Sequence, residues 1–224
     1  MVEIIEDPVL RNQVQIFADR TNAGEVLATH LKEYGNRKDV VVLAIPAGGV
    51  PVAIQISKKL NIIWDFVLTR KLHIPWNKEA GFGAVSWKGT TILNRPLVDS
   101  LGLTNEEINN VVETEKRIIQ NRLKKFRGDK PFPNLENKIV IVVDDGLASG
   151  FSMLVTIKTL KLIVKKIVVA IPTASANAIK LITPYADKIV CPNIRFSHFF
   201  AVADAYKIWF DLTDDDVIEL LKNN

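Results

Sequence analysis

Two adjacent carboxylates, Asp144 and Asp145, directly follow an uninterrupted run of five apolar residues. Such a run predicts a strand buried on both faces of a parallel sheet, with the acids at its carboxyl end. In open α/β sheets, ligands bind at that edge. A short loop bracketed by Gly146 and Gly150 comes next, and a helical pattern begins at about Ser152. The pattern predicts unpaired backbone N–H groups in front of a positive helix end, which is a site for a phosphate group.

A plainer interpretation of the same residues is a turn followed by a helix cap. Asp, Gly and Ser favour turns and helix starts for purely local reasons. The apolar strand before the acids and the Ser-Gly-Phe-Ser sequence after them favour the phosphate site over the simple turn.

The whole run, from the apolar strand through Asp-Asp-Gly-Leu-Ala-Ser-Gly-Phe-Ser, resembles the phosphoribosyl pyrophosphate (PRPP) motif of the type I phosphoribosyltransferases. In that family the two acids hold the ribose 2′- and 3′-hydroxyls, and the loop takes the 5′-phosphate. Ser149 replaces the commoner threonine and keeps its hydroxyl, whereas Phe151 stands where a small residue is usual. The resemblance implies a PRPP-binding set of Asp144, Asp145, Gly146, Leu147, Ala148, Ser149, Gly150, Phe151 and Ser152.

A second strand-loop-helix pattern lies upstream, where an apolar run over residues 40–45 leads into a glycine-rich loop and an amphipathic helical pattern. This geometry also suits a phosphate, and a plain glycine-rich turn is the alternative. In the type I phosphoribosyltransferases the matching loop contacts pyrophosphate, mostly through backbone N–H groups. The resemblance assigns that role to Ala47, Gly48 and Gly49. A subgroup of the family has arginine in place of Ala47, so this chain keeps the backbone cradle and lacks one cation.

Two adjacent cations, Arg70 and Lys71, follow a third predicted strand over residues 64–69. At the carboxyl end of a core strand they would suit a polyanionic ligand. We therefore expect them to bind the leaving pyrophosphate and to act as catalytic residues together with Asp144 and Asp145.

Residues 72–94 are polar and irregular in pattern, and residues 84–86 and 91–93 could pair as a hairpin. The resemblance implies a small hood made of this segment and the C-terminal region, part of it a mobile lid. A lid is useful because it keeps water from a reactive sugar cation.

The aromatic-rich C-terminal region contains Phe200 and Asp204. They are loose counterparts of the residues that frame the base and the metal in purine-salvage members, although core packing is the alternative for Phe200. The resemblance implies Mg²⁺ as cofactor, held mostly through PRPP and water, with Asp144, Asp145 and Asp204 as the oxygen ligands of the protein.

Composition excludes several classes of protein. A single cysteine, Cys191, rules out an internal disulfide framework and a cysteine-rich zinc site. No apolar run is long enough to cross a bilayer, and the first residues lack a signal-peptide pattern, so we expect a cytoplasmic protein. The net charge of +4 is small, and the densest basic cluster, residues 124–127, ends a predicted helix. We therefore expect no nucleic-acid or membrane partner, and a homodimer is a possible assembly.

Alternating strand and helix patterns predict an α/β fold. We expect one phosphoribosyltransferase-like domain over residues 1–224, with a mainly parallel, Rossmann-like sheet of about five strands flanked by helices, plus the small hood. A capping box at Thr104 and Glu107 predicts the start of a long helix that belongs to this scaffold.

The resemblance implies an enzyme of nucleotide salvage that transfers 5-phosphoribose from PRPP to a nitrogenous base and releases pyrophosphate. Hypoxanthine-guanine enzymes usually have aspartate at the position of Ala148. An alanine methyl can neither accept nor donate a proton, so the base is predicted not to be a 6-oxopurine. The alternative is a non-catalytic module that senses PRPP or a nucleotide at the same site, because fold does not fix function.

Overall fold

The computed structural model of the chain describes residues 2–197 and 199–224, with the side chain of Lys78 outside that description. The strands are β1 (Glu3–Ile5), β2 (Val40–Ala44), β3 (Ile63–Phe66), β4 (Thr69–Ile74), β5 (Asn77–Ser86), β6 (Thr91–Leu93), β7 (Ile139–Val143), β8 (Lys166–Ala170), β9 (Thr173–Ser175), β10 (Lys188–Val190) and β11 (Asn193–Arg195). The helices are α1 (Arg20–His30), α2 (Gly49–Leu60), α3 (Arg95–Leu101), α4 (Asn105–Arg127), α5 (Phe151–Leu160), α6 (Ala176–Ile182) and α7 (Asp214–Asn223), and short 3₁₀ helices cover Lys32–Tyr34 and Val202–Ala205.

The central sheet has six strands in the order β1-β10-β8-β7-β2-β3. All neighbouring pairs in it are parallel. The predicted α/β fold with a mainly parallel sheet is therefore confirmed, with six strands in place of five. The additional strand is β1, which has only three residues and two exposed side chains. Three residues are too few to show a strand pattern, although two of them are isoleucine.

The core lies on both faces of this sheet. Every residue of β2 and β7 is buried, as the unbroken apolar runs predict for central parallel strands. Helices α1, α2, α4 and α7 cover one face, and α5 and α6 cover the other. Thr104 and Glu107 form the predicted capping box, and α4 begins at Asn105, directly after Thr104.

Residues 69–93 form a second sheet, which is three-stranded and antiparallel in the order β4-β5-β6. The predicted hairpin is confirmed by the pairing of Ala84 with Ile92. The prediction that residues 72–94 are irregular is wrong, because β5 alone covers ten of them. The third core strand is also shorter than predicted: β3 ends at Phe66, and the chain enters the second sheet at Thr69. Buried Val67 and Leu68 continue the apolar run between the two strands and hide this boundary.

The N-terminal and C-terminal segments meet beside the carboxyl ends of the core strands. Phe17 forms a bridge with Tyr206, and the N–H of Gln15 donates to the carbonyl of Asp204 at 2.7 Å. Phe17, Ala23, Ala205 and Tyr206 form a separate small core. The part of the hood next to the predicted site is thus built from both ends of the chain.

Among the described residues, no helix combines the length and the apolar character needed to span a membrane.

Candidate functional site

The acid pair and the glycine-rich loop after β2 lie directly against each other. Strands β2 and β7 are neighbours in register, with Ala44 opposite Val143, so the segments that follow them leave the sheet side by side. A Cβ atom added to Gly48 would overlap with Oδ2 of Asp145, and one added to Gly49 would lie 2.7 Å from the carbonyl oxygen of Val143. Only glycine allows this approach of backbone to carboxylate.

Asp145 is held by a buried arginine that the sequence analysis did not identify. Nε of Arg20, at the start of α1, donates to Oδ2 of Asp145 at 2.8 Å. Its Nη1 donates to the carbonyl of Phe210 at 2.9 Å, and its guanidinium lies 3.8 Å from the ring centroid of Trp209. Arg20 therefore links Asp145 to the C-terminal segment.

Tyr206 provides a second link to the acid pair, because its hydroxyl donates to the backbone carbonyl of Asp145 at 2.6 Å. The ring packs against Phe17 at 5.7 Å and Trp209 at 5.2 Å between centroids. Burial raises the pKa of Tyr206, so the phenol stays protonated and remains a donor. Together with Arg20, it fixes the backbone and the side chain of Asp145.

Asp144 has an unusual electrostatic environment. Burial, and after it the neighbouring charge of Asp145, raise the pKa of Asp144 well above its usual value. Oδ1 of Asp144 accepts a hydrogen bond from the backbone N–H of Asp145 at 2.9 Å. A ligand that brings positive charge or hydroxyl donors to these two acids would stabilise their charged forms.

The loop between β7 and α5 is held by hydrogen bonds to β9, and it contains a row of backbone N–H groups that are free to donate to a ligand. The N–H of Leu147 donates to the carbonyl of Thr173 at 3.0 Å, and Oγ of Ser175 donates to the carbonyl of Ala148 at 2.7 Å. Gly150 has a φ of +79° just before α5 begins, which is a conformation that favours glycine. Within the described part of the chain, the backbone N–H groups of residues 148–153 donate no hydrogen bond. The loop therefore has the geometry of an anion site at a helix N-terminus.

The loop after β2 has free donors of its own, since the N–H groups of Ala47 and Gly48 have no acceptor among the described residues. The N–H of Gly49 is used by the carbonyl of Ile45 at 3.1 Å. The peptide bond between Pro46 and Ala47 is cis. The structure thus brings the three predicted loop residues together with the acid pair and the second loop.

Arg70 and Lys71 are not brought to this place by any contact in the described part of the chain. Both belong to β4 of the second sheet, because the chain leaves the core sheet after Phe66. Nε of Arg70 donates to Oε2 of Glu115 on α4 at 2.7 Å. Nζ of Lys71 donates to the carbonyl of Glu79 at 3.0 Å. The expectation that these cations lie at the carboxyl end of a core strand is therefore wrong.

Asp204 and Phe200 pair with the same residue, the buried Arg195. Oδ2 of Asp204 accepts from both terminal nitrogens of Arg195, at 3.2 and 3.1 Å, and the ring of Phe200 lies 5.0 Å from its guanidinium. In residues 2–197 and 199–224, no group of three or more His, Cys, Asp or Glu side chains could hold a metal ion. At the site, the acid pair offers carboxylate oxygens of the kind Mg²⁺ prefers, one of which already accepts from Arg20. Such a donor set fits an ion that arrives bound to a ligand.

Val202, in the C-terminal segment, lies against the loop between β7 and α5, and no pattern in the sequence had pointed to it. A Cβ atom added to Gly146 would lie 2.5 Å from Cγ1 of Val202. The 3₁₀ helix that contains Val202 therefore forms one wall of the space beside the loop.

A family model described as phosphoribosyl transferase domain matches residues 14–207 of this chain. Curated proteins from two Mycobacterium tuberculosis strains, both provisionally named phosphoribosyl transferases, are 32% identical over 209 residues, which is 93% of this chain and 47% of each relative. The chain thus spans about half the length of these curated relatives. The crystal structure of TT1426 from Thermus thermophilus is similar with a TM-score of 0.75 and 29% identity, covering 92% of this chain and 98% of the other. The structure of AQ2163 from Aquifex aeolicus shares the fold with a TM-score of 0.53 and 14% identity, covering 91% of both chains.

Proposed function

We propose that this chain, which belongs to the phosphoribosyl transferase domain family, transfers 5-phosphoribose from PRPP to a nitrogenous base and releases pyrophosphate. One observation carries the proposal: an acid pair lies between two loops at the carboxyl ends of neighbouring strands, and in each loop several backbone N–H groups have no acceptor among the described residues. PRPP has phosphate at both ends of a ribose that carries two free hydroxyls. Two anion sites with carboxylates between them match that order of groups.

The binding roles follow from position. The free N–H groups of residues 148–153, with the positive end of α5 behind them, would receive the 5′-phosphate. Asp144 and Asp145 would accept hydrogen bonds from the ribose 2′- and 3′-hydroxyls. The N–H groups of Ala47 and Gly48 would receive the pyrophosphate group. Mg²⁺ bound to PRPP would supply positive charge to the departing pyrophosphate.

In the reaction, the bond between ribose C1 and the pyrophosphate oxygen breaks, and a nitrogen of the base forms a bond to C1 from the opposite face. Positive charge develops on the ribose, and the carboxylates of Asp144 and Asp145 lie where they stabilise it. Free N–H groups stabilise the negative charge that develops on pyrophosphate. Catalysis would thus rest on positioning and electrostatics.

The acceptor is proposed to be a base other than a 6-oxopurine. Ala148, the exposed residue before Ser149 and Gly150, has no proton to give or take. Any acid–base help would have to come from the hood, from water or from the base itself.

A PRPP sensor without turnover is the second candidate, and the placement of the cations favours it. Arg70 and Lys71 contact Glu115 and Glu79, and Ala47 stands where a subgroup of the family has arginine. The loop that would take pyrophosphate is therefore left with backbone donors as its main support. A sensor would bind PRPP tightly and release no pyrophosphate.

Pyrophosphate release separates these candidates. The purified protein would be incubated with PRPP, Mg²⁺ and, one at a time, adenine, uracil, orotate, hypoxanthine, guanine and xanthine. We expect release with a base outside the last three, and its loss in the double variant Asp144→Asn/Asp145→Asn. The matched control is Asp99→Asn/Asp129→Asn, which removes two exposed carboxylates away from the acid pair. PRPP binding with no release on any base would contradict the transferase and support the sensor.

A further inference from the structure

A recess lies away from the acid pair, between the β5–β6 turn, the last turns of α4 and the segment that follows α4. We call it the Trp87 groove. Its volume is about 600 Å³, within the range of about 300–1,000 Å³ typical of small-molecule sites. A smaller recess of about 240 Å³ shares Trp87, Lys88 and Gln120 with it and adds Lys116.

The charges in this groove all have one sign. Four cations line the two recesses, and no carboxylate is among the residues that line them in the described part of the chain: the cations are Lys88, Lys116, Lys124 and Arg127. Two of these cations are paired with carboxylates that do not line the recesses: Arg127 with Asp65 at 2.6 and 3.0 Å, and Lys116 with Glu113 at 2.8 Å. Within the described chain, Lys88 and Lys124 form no ion pair. Such a surface attracts an anion.

Aromatic rings form the floor beside these cations. The rings of Trp87 and Phe132 lie 6.0 Å apart at an angle of 30°, and the guanidinium of Arg127 lies 5.1 Å from the centre of Phe132. The backbone N–H of Trp87 donates to the carbonyl of Leu68 at 2.9 Å, so the turn that carries the indole is anchored. An indole face and a cation stacked on a ring are the groups on which nucleobases stack.

We propose that the Trp87 groove binds a nucleotide, with the base against Trp87 and the phosphate groups near Lys88 and Lys124. The amides of Gln120 and Asn121, which also line the groove, can donate to and accept from the edge of a base. A phosphate or pyrophosphate ion alone would leave the aromatic floor unused. The site lies outside both loops that flank the acid pair.

The groove also has a physical connection to the candidate active site. Ser86, the last residue of β5, accepts a hydrogen bond from Oγ1 of Thr159 on α5 at 2.9 Å, and both side chains are buried. Helix α5 begins at the phosphate loop, so the β5–β6 turn and that loop are joined through one helix.

The experiment must separate this groove from the acid pair, because the proposed transferase would also bind nucleotides as products. We therefore use the Asp144→Asn/Asp145→Asn variant as the parent protein and titrate it with adenosine diphosphate by calorimetry. Because Asp145→Asn removes the partner of buried Arg20, circular dichroism must first show that this variant is folded. If it is not, Asp144→Asn alone, which keeps the pair between Arg20 and Asp145, is the parent protein. Saturable binding is expected, and adding Lys88→Gln/Lys124→Gln should weaken it by about tenfold. Adding Lys180→Gln/Lys222→Gln instead removes two exposed lysines elsewhere, keeps the net charge equal to that of the test variant, and should leave the affinity unchanged.

A second variant reports the stacking. Trp87→Phe, made in the same parent protein, keeps an aromatic face and should retain binding of adenosine diphosphate. The quenching of tryptophan emission by adenosine diphosphate should disappear in this variant. Quenching that persists in this variant would place the base elsewhere and overturn the proposal.

Four further results would overturn it: the parent protein does not bind adenosine diphosphate, pyrophosphate binds it as tightly, an oligoribonucleotide binds it more tightly, or the Lys88/Lys124 variant binds like its control. The first of these would assign any nucleotide binding by the wild-type protein to the acid pair. Failure of the transferase proposal would leave all these measurements unaffected, because the parent protein already lacks the acid pair.

Discussion

Arg20 donates a hydrogen bond to Asp145 from a position 125 residues earlier in the chain, and both side chains are almost fully buried, with 8% and 13% of their area exposed. The pair joins the N-terminal segment to the carboxyl end of β7. Arg20 is a positioning residue, because its guanidinium orients the carboxylate that the proposed substrate would meet.

Replacing Arg20 by glutamine should destabilise the protein and weaken PRPP binding together. The substitution leaves a buried carboxylate without its partner, which typically costs about 3–5 kcal/mol. Urea denaturation measures the free energy of unfolding, and calorimetry measures PRPP affinity. Arg37→Gln breaks an exposed pair with Asp39 and is the control, for which we expect a much smaller change. Equal effects of the two substitutions would contradict the role of Arg20.

Gly48→Ala should disrupt the site with little effect on the rest of the fold. The new methyl group would overlap with Oδ2 of Asp145, so either the loop or the carboxylate must move. We expect PRPP affinity to fall by about tenfold or more. Gly102→Ala adds a methyl group at another loop, where no atom lies within 4 Å. Because Gly102 has a φ of +63°, this control should lower the free energy of unfolding but leave the affinity for PRPP intact. An unchanged affinity for Gly48→Ala would show that PRPP does not depend on this contact.

Asp144→Asn should stabilise the folded chain increasingly as pH rises. Burial and the charge of Asp145 raise the pKa of Asp144 above the usual 3.8, so the folded chain binds this proton more tightly than the unfolded chain does. The stability that the proton contributes is present at low pH and is lost as pH rises from 3.8 through the folded pKa.

Asparagine carries no such proton, so the free energy of unfolding of the variant minus that of wild type should be more positive at about pH 8 than at about pH 4. Urea denaturation at the two pH values gives this difference, from which the other carboxyl groups cancel. A difference that is the same at both pH values would contradict the electrostatic description of Asp144.

Ala148→Asp should broaden the range of bases. Ala148 is exposed at the start of the free N–H row, so a carboxylate there needs no repacking and can take a proton from a base. We expect the ratio of kcat/KM for hypoxanthine to kcat/KM for adenine to rise by at least about tenfold. A well-placed general base typically contributes about 100-fold or more, so this expectation allows for imperfect geometry. Ala148→Asn is the control, because asparagine has the shape of aspartate without a carboxylate that takes a proton, and it should leave this ratio unchanged. No change in the ratio would mean that this position does not face the base.

The sequence predicted the parts of the site that are local. Each of the two loops follows a fully buried strand and precedes a helix, so the local patterns of residues 139–152 and 40–60 predict their place at the edge of the sheet. The type I phosphoribosyltransferase fold that the resemblance implied is also confirmed, because the family model matches residues 14–207 and the two predicted strands pair in parallel.

The contacts that the sequence did not predict are those between distant segments. Arg20 and Tyr206 reach Asp145 from the two ends of the chain, and nothing in their neighbouring residues distinguishes them from a helix start and a core aromatic. Arg70 and Lys71 were misplaced because buried Val67 and Leu68 make two strands look like one. A boundary between two sheets leaves no signal when both strands and their connection are apolar.

The central claim is that the two loops beside the acid pair bind PRPP, and an amide NMR titration with PRPP and Mg²⁺ tests it most directly. The free N–H groups of residues 148–153, Ala47 and Gly48 would become hydrogen-bonded, so we predict that their resonances move together with one dissociation constant. Saturation with PRPP that leaves both loops unshifted would contradict the claim.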